Sequence, residues 1–99
     1  MLNVTKVVEN GKAEVFLDGR LDTSTVSELD AVLKGIVGGL SELTLNLEKL
    51  EYISSAGLHI LLTTQKEMDK HGVMKVTHVN QTIMEIFEMT GFKGFLTIA

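Results

Sequence analysis

Residues Glu51 to Met68 read EYISSAGLHILLTTQKEM. Tyr52-Ile53 has the look of a strand end. The apolar pattern stops at Ser54-Ser55, passes the small Ala56 and Gly57, and resumes at Leu58, Leu61, Leu62 and Met68 with helical spacing. Gly72 supplies the stop. A strand therefore hands over to a helix across a pair of hydroxyls, and what precedes and follows must be compatible with that unit.

Upstream, LNVTKVV and KAEVFLD are β-prone runs separated by ENGK, and Asn10-Gly11 is the pair that a tight type I′ hairpin turn prefers. After Asp18-Gly19 the period changes. Val26, Leu29, Leu33, Ile36 and Val37 fall on one helical face, Thr25 with Glu28 forms a candidate capping box, and Gly38-Gly39 ends the helix. LTLNL (Leu43 to Leu47) alternates as a strand, and a short connection leads to Tyr52-Ile53. Downstream, VMKVTHV reads as another strand. Asn80 is placed to cap a third helix, with Val79 and Met84 as a hydrophobic staple. Ile83, Ile86 and Phe87 form the buried stripe of that helix, Gly91 is its C-cap, and FLTI reads as a short last strand. The predicted order is β-β-α-β-α-β-α-β. Strands alternating with helices argue for an α/β layer fold whose later strands are parallel and joined by right-handed crossovers.

The chain has 99 residues, which predicts one domain spanning 1–99. With 44% hydrophobic and 22% charged residues it has the composition of a folded globular protein. The lack of cysteine excludes a disulfide framework and a thiolate metal site, and fits a reducing compartment. No basic-then-apolar leader opens the sequence, and no apolar run approaches the ~20 residues of a membrane span. A net charge of −4 with dispersed Lys and Arg lacks the footprint of a nucleic-acid binder. The expectation is a cytoplasmic monomer with no cofactor, no metal, no nucleic acid and no membrane attachment.

In α/β sheets, ligands and partners meet the protein where a strand's carboxyl end turns into a helix. Ser54 and Ser55 occupy such a junction, and two readings of them stand side by side. One serine can simply cap the helix by accepting a backbone N–H bond. A helix N-terminus also offers unpaired N–H groups and partial positive charge, so it tolerates an added phosphate, and Ala56 and Gly57 keep the approach to Ser55 open. A nucleophilic enzyme is disfavoured: ISSAG carries Ile53 where a G-x-S-x-G elbow needs glycine. His59 lies four residues from Ser55, but a catalytic base also needs an acid to hold it. His71 and His78 stand at no metal-ligand spacing.

GRLDTSTVSEL (Gly19 to Leu29) followed by LTLNLEKLEYISSAGLHILL (Leu43 to Leu62) resembles the STAS domain of bacterial anti-sigma factor antagonists. The first segment matches the family's G-x-L-D turn into a helix. The second matches its strand, short loop, aromatic-apolar pair and D-S-x-G-L helix opening, and VNQTIMEIFEMTGF is similar to the family's third helix. The resemblance covers essentially the whole chain. It implies a STAS-like α/β domain with a four- to five-stranded mixed sheet and helices mainly on one side. It also implies a partner-switching regulator, not an enzyme. Unphosphorylated, such an antagonist binds an anti-sigma factor that is itself a serine kinase of ATPase-type fold, which frees a sigma factor. Phosphorylation by that kinase releases the antagonist, and a PP2C-type phosphatase resets it.

By position the resemblance makes Ser55 the phosphoacceptor, with Ser54 as second choice, Gly57-Leu58 the motif's G-L, and Asp22 the acidic residue of the first turn. Asp22, Thr23, Ser54, Ser55, Ala56, Gly57, Leu58 and His59 then form the partner-binding set. The sequence departs from the family at Ser54 and Asn46, both usually Asp, and both departures are expected to remove negative charge near Ser55. His59 stands where the family often has a small residue. A STAS scaffold without a phospho-switch, in a transport or signalling complex, is the alternative.

Overall fold

The computed structural model describes all 99 residues. Strands β1 (Leu2–Glu9) and β2 (Lys12–Leu21) form an antiparallel hairpin. Its turn residues Asn10 and Gly11 have φ of +53° and +76°, the two positive values that a type I′ turn requires. Helix α1 (Val26–Ile36) runs into a 3₁₀ turn at Val37–Gly39 and leads to β3 (Glu42–Ile53). Helix α2 (Ser55–Asp69), β4 (Val73–Thr77) and α3 (Gln81–Thr90) follow. The sheet order is β1-β2-β3-β4, with β2, β3 and β4 mutually parallel.

The two faces of the sheet differ in kind. Ala13, Val15 and Leu17 of β2, Leu43, Leu45 and Leu47 of β3, and Met74 and Val76 of β4 alternate onto one face and are buried there. Leu29 and Leu33 of α1, Leu58, Leu61 and Met68 of α2, and Ile83 and Phe87 of α3 join them in a single core. Burial of an apolar side chain of this size contributes roughly 1.5–3 kcal/mol, so packing fixes these short helices where propensity alone would leave them marginal. The opposite face carries the row Thr5, Phe16, Asn46 and Thr77 across the four strands, and no helix packs over it.

Four expectations change. The segment read as a connection before Tyr52-Ile53 belongs to β3, which is continuous. Its pairing with β2 shifts register between Phe16 and Asp18 and again between Gly19 and Arg20, each time with one extra residue on β3. These bulges put Leu47, Leu50 and Ile53, three apart, all in the core, which hides the period of two from a pattern search. β4 ends at Thr77, because His78 adopts φ +54°. The predicted last strand reduces to one parallel bridge, Val76 to Ile98, preceded by a 3₁₀ turn at Phe92–Gly94. The sheet thus has four strands. Leu62 is half-buried, and Ile60, Thr64 and Gln65 are buried instead.

Asn80 caps α3 as expected, its Oδ1 accepting from Ile83 N at 3.0 Å. Its Nδ2 also donates to Leu50 O at 2.8 Å, pairing a carbonyl in the bulged part of β3. Gly91, with φ +78°, ends the helix in the left-handed conformation that glycine adopts without cost.

Candidate functional site

The parallel ends of β2 and β3 bring two turns together. Ser54 N donates to Leu21 O at 2.9 Å, which joins the head of α2 to the turn Asp22–Thr25. Gly57 makes the approach close: a Cβ there would lie 2.8 Å from Ile53 Cγ1 and 2.8 Å from Leu21 Cγ. Its smallness therefore serves packing of the helix onto the strand ends. It does not keep the approach to Ser55 open, since Gly57 and Leu58 face the core.

The two serines divide. Ser54 is the N-cap, with extended backbone at φ −91° and ψ 177°, and its Oγ accepts from Gly57 N at 3.3 Å. Ser55 is the first helical residue and exposed, and its hydroxyl makes no hydrogen bond within the chain. Helix geometry leaves the Ser55 and Ala56 amides without intrahelical partners, next to that hydroxyl.

The neighbouring turn is organised by Asp22 and Thr25. Asp22 Oδ1 accepts from Ser24 N at 2.9 Å and from Ser24 Oγ at 2.7 Å. The Ser24 hydroxyl bond is the main reason the Asp22 carboxyl is held below the usual carboxylate range; the Ser24 amide, Thr25 and Arg20 act in the same direction and partial burial opposes them. Thr25 does not form the expected capping box with Glu28. It lacks a side-chain cap bond because its Oγ1 is spent inside the turn, donating to Arg20 O at 2.8 Å and accepting from Asp22 N at 2.9 Å. Arg20 lies over the Tyr52 ring at 4.5 Å from its centroid and 3.8 Å from Asp22 Oδ2. Thr23 is exposed at the tip of the turn.

Of the residues singled out from the sequence, Asp22, Thr23, Ser54, Ser55, Ala56, Gly57, Leu58 and His59 all sit at this rim, with Gly57 and Leu58 beneath it. Asn46 does not. It lies seven residues before the end of β3, roughly 20 Å away at strand rise, on the open face. There it is buried and bonded to Glu14 Oε2 at 3.2 Å and Glu48 N at 3.0 Å. Replacement of an acid at this position leaves the charge around Ser55 as it was. His59 is exposed, and no acid or serine hydroxyl bonds its ring, so the arrangement lacks a relay. No group of three His, Asp or Glu side chains is placed to hold a metal, and no helix is long and apolar enough to cross a membrane.

The structure adds a feature absent from the sequence reading. A groove of about 670 Å³ runs between α1 and α2 beside Ser55, lined by Val26, Asp30 and Lys34 on one wall and by Ala56, His59 and Ile60 on the other. Its first wall could have been found only from the i, i+4, i+8 spacing of Val26, Asp30 and Lys34 together with knowledge that α1 packs beside α2.

An α/β sheet of this order, helices on one face and a serine-headed helix at its rim, defines a small interaction domain. Residues 3–99 match the family model of the STAS domain, and the chain belongs to that family. It is 30% identical over 98% of its length to an anti-sigma-B factor antagonist of Staphylococcus aureus, covering 92% of that protein. Among solved structures, it superposes with a TM-score of 0.89 on an anti-sigma factor antagonist from Mycobacterium paratuberculosis, at 20% identity, covering 99% of this chain and 85% of that one. The Bacillus cell fate determinant SpoIIAA in its phosphorylated form gives a TM-score of 0.74 at 20% identity, covering 100% of this chain and 91% of that one.

Proposed function

We propose that this chain is a cytoplasmic, single-domain anti-sigma factor antagonist. Unmodified, it binds an anti-sigma factor that is also a serine kinase of ATPase-type fold, and so frees a sigma factor. Phosphorylation on Ser55 by that kinase ends the complex, and a PP2C-type phosphatase restores it. One observation carries the reading: Ser54 takes the capping bond, so the hydroxyl of Ser55 is left exposed and unbonded at the head of α2. The similarity to the staphylococcal antagonist over nearly the whole chain supports it, as does the existence of a phosphorylated form of a Bacillus protein with this fold.

The partner surface combines the Asp22-Thr23 turn with Ser54 to His59. Leu58 and Gly57 act from below, by fixing the helix head. The test is incubation with the cognate kinase and ATP, followed by peptide mass spectrometry. Phosphate on Ser55, lost in Ser55→Ala, is the expected result. Phosphate on Ser54 alone, or retained in Ser55→Ala, overturns the assignment. Co-purification with a transport complex in place of an anti-sigma factor would favour a scaffold.

A further inference from the structure

The groove beside Ser55 holds two basic side chains that the partner-switching reading does not use as such. His59 follows Ser55 by four residues on α2, the spacing that stacks side chains on one helical face. Helical side chains lean toward the helix N-terminus, so His59 leans over the turn that carries Ser55. Lys34 lines the same groove from α1, its Nζ 3.0 Å from Asp30 Oδ2 and its side chain largely exposed. Asp30 is the one acidic side chain lining the groove, and Lys34 already neutralises it.

We propose that His59 and Lys34 form a two-armed clamp that draws a phosphoryl group on Ser55 down into the α1–α2 groove. The clamp rests on the reading of Ser55 as phosphoacceptor and deepens it. An anion at residue i with a cation at i+4 is the favourable order along a helix. A cationic imidazole and a phosphate dianion held close together each favour the other's charged form. The phosphate dianion carries more charge than the Asp30 carboxylate and competes with it for Lys34 across the groove. A clamped phosphate would fill the mouth of the groove and turn a concave, partly apolar surface into a closed anionic one.

The test installs phosphoserine at position 55 of the full chain by genetic encoding, so that no kinase is needed. The second ionisation of the phosphate is then followed by ³¹P NMR in four proteins: the native sequence, His59→Gln, Lys34→Gln and Lys66→Gln, the last a control on the exposed side of α2. The helix N-terminus acts alike in all four, so differences between them report side chains alone. The expected result is that His59→Gln and Lys34→Gln each raise the phosphate pKa by about 0.3 unit or more, the size of a helical i,i+4 ion pair, while Lys66→Gln does not. Titrations unchanged by both substitutions, changed by only one, or changed equally by the control overturn the clamp. The kinase experiment is separate: a kinase that ignores Ser55 refutes the acceptor assignment without altering these titrations, and flat titrations refute the clamp while leaving the acceptor in place.

Discussion

The hydroxyl of Ser54 accepts the Gly57 amide at 3.3 Å, while that of Ser55, one residue on, accepts none. Loss of a serine N-cap typically costs about 1 kcal/mol, and a truncation at an exposed position without partners stays within about 0.5 kcal/mol. Ser54→Ala is therefore expected to lower the unfolding free energy by ~1 kcal/mol and Ser55→Ala to leave it unchanged, as read from urea denaturation; equal effects would refute the division of roles. From the sequence, capping is one of two readings of the serine pair, and which serine would cap is not legible, because the choice depends on where the backbone leaves the extended region. Asp22 sets a pH dependence. Its carboxyl is held below the usual range, chiefly by Ser24, so it binds protons more readily in the unfolded chain. The stability it contributes is present above the unfolded value, about pH 4, and is lost as pH falls through the lower, folded value. The stability gap between the native protein and Asp22→Asn should thus narrow in acid below about pH 4, and a constant gap would remove Asp22 from the account.

Among the elements, the hairpin and the caps of α2 and α3 were legible because each rests on local chemistry: Asn10-Gly11 for the turn, a serine or Asn80 for the helix heads. What the sequence concealed were features created by a neighbour. Glu48-Lys49-Leu50-Glu51 looks like a loop, yet it is strand, since two bulges against β2 absorb the broken alternation. Thr25 looks like a cap, yet its hydroxyl is claimed by Arg20 O. Asn80 links the two kinds of feature, capping α3 while its amide holds Leu50 O of the bulged strand. Asn80→Ala should lose both bonds and leave a carbonyl poorly paired, a cost of about 2–3 kcal/mol, more than a cap alone. Asn80→Ser, which can keep the cap but cannot reach as an amide donor, should fall between the two. Equal stability of Asn80→Ser and the native protein in denaturant titration would show that the Leu50 bond contributes nothing.

For the molecule as a whole, the family resemblance covered the chain from end to end, and the four-stranded sheet with helices on one face agrees with it; the strand read at FLTI is reduced to a bridge at Val76 and Ile98. A phosphoryl group on Ser55 adds about −1.5 to −2 charge to a chain of net charge −4. The α2 dipole favours an anion there by ~0.3–1 kcal/mol, so circular dichroism and melting temperature should barely change. A closed interface must desolvate that charge beside the Asp22 turn, and a mispaired interfacial charge costs on the order of 2–5 kcal/mol, so partner affinity should fall at least tenfold. Melting of the domain on phosphorylation, or calorimetry showing an unaltered affinity, would refute a switch of this kind. The bond from Ser54 N to Leu21 O has a kinetic meaning as well. It ties together two turns more than thirty residues apart in the chain, so neither can open far without the other. The Ser55 hydroxyl is already exposed, so what this bond limits is how far the backbone at the head of α2 can move away from the Asp22 turn. The exchange of the Ser54 amide proton with solvent is then a clock for how often the two turns part.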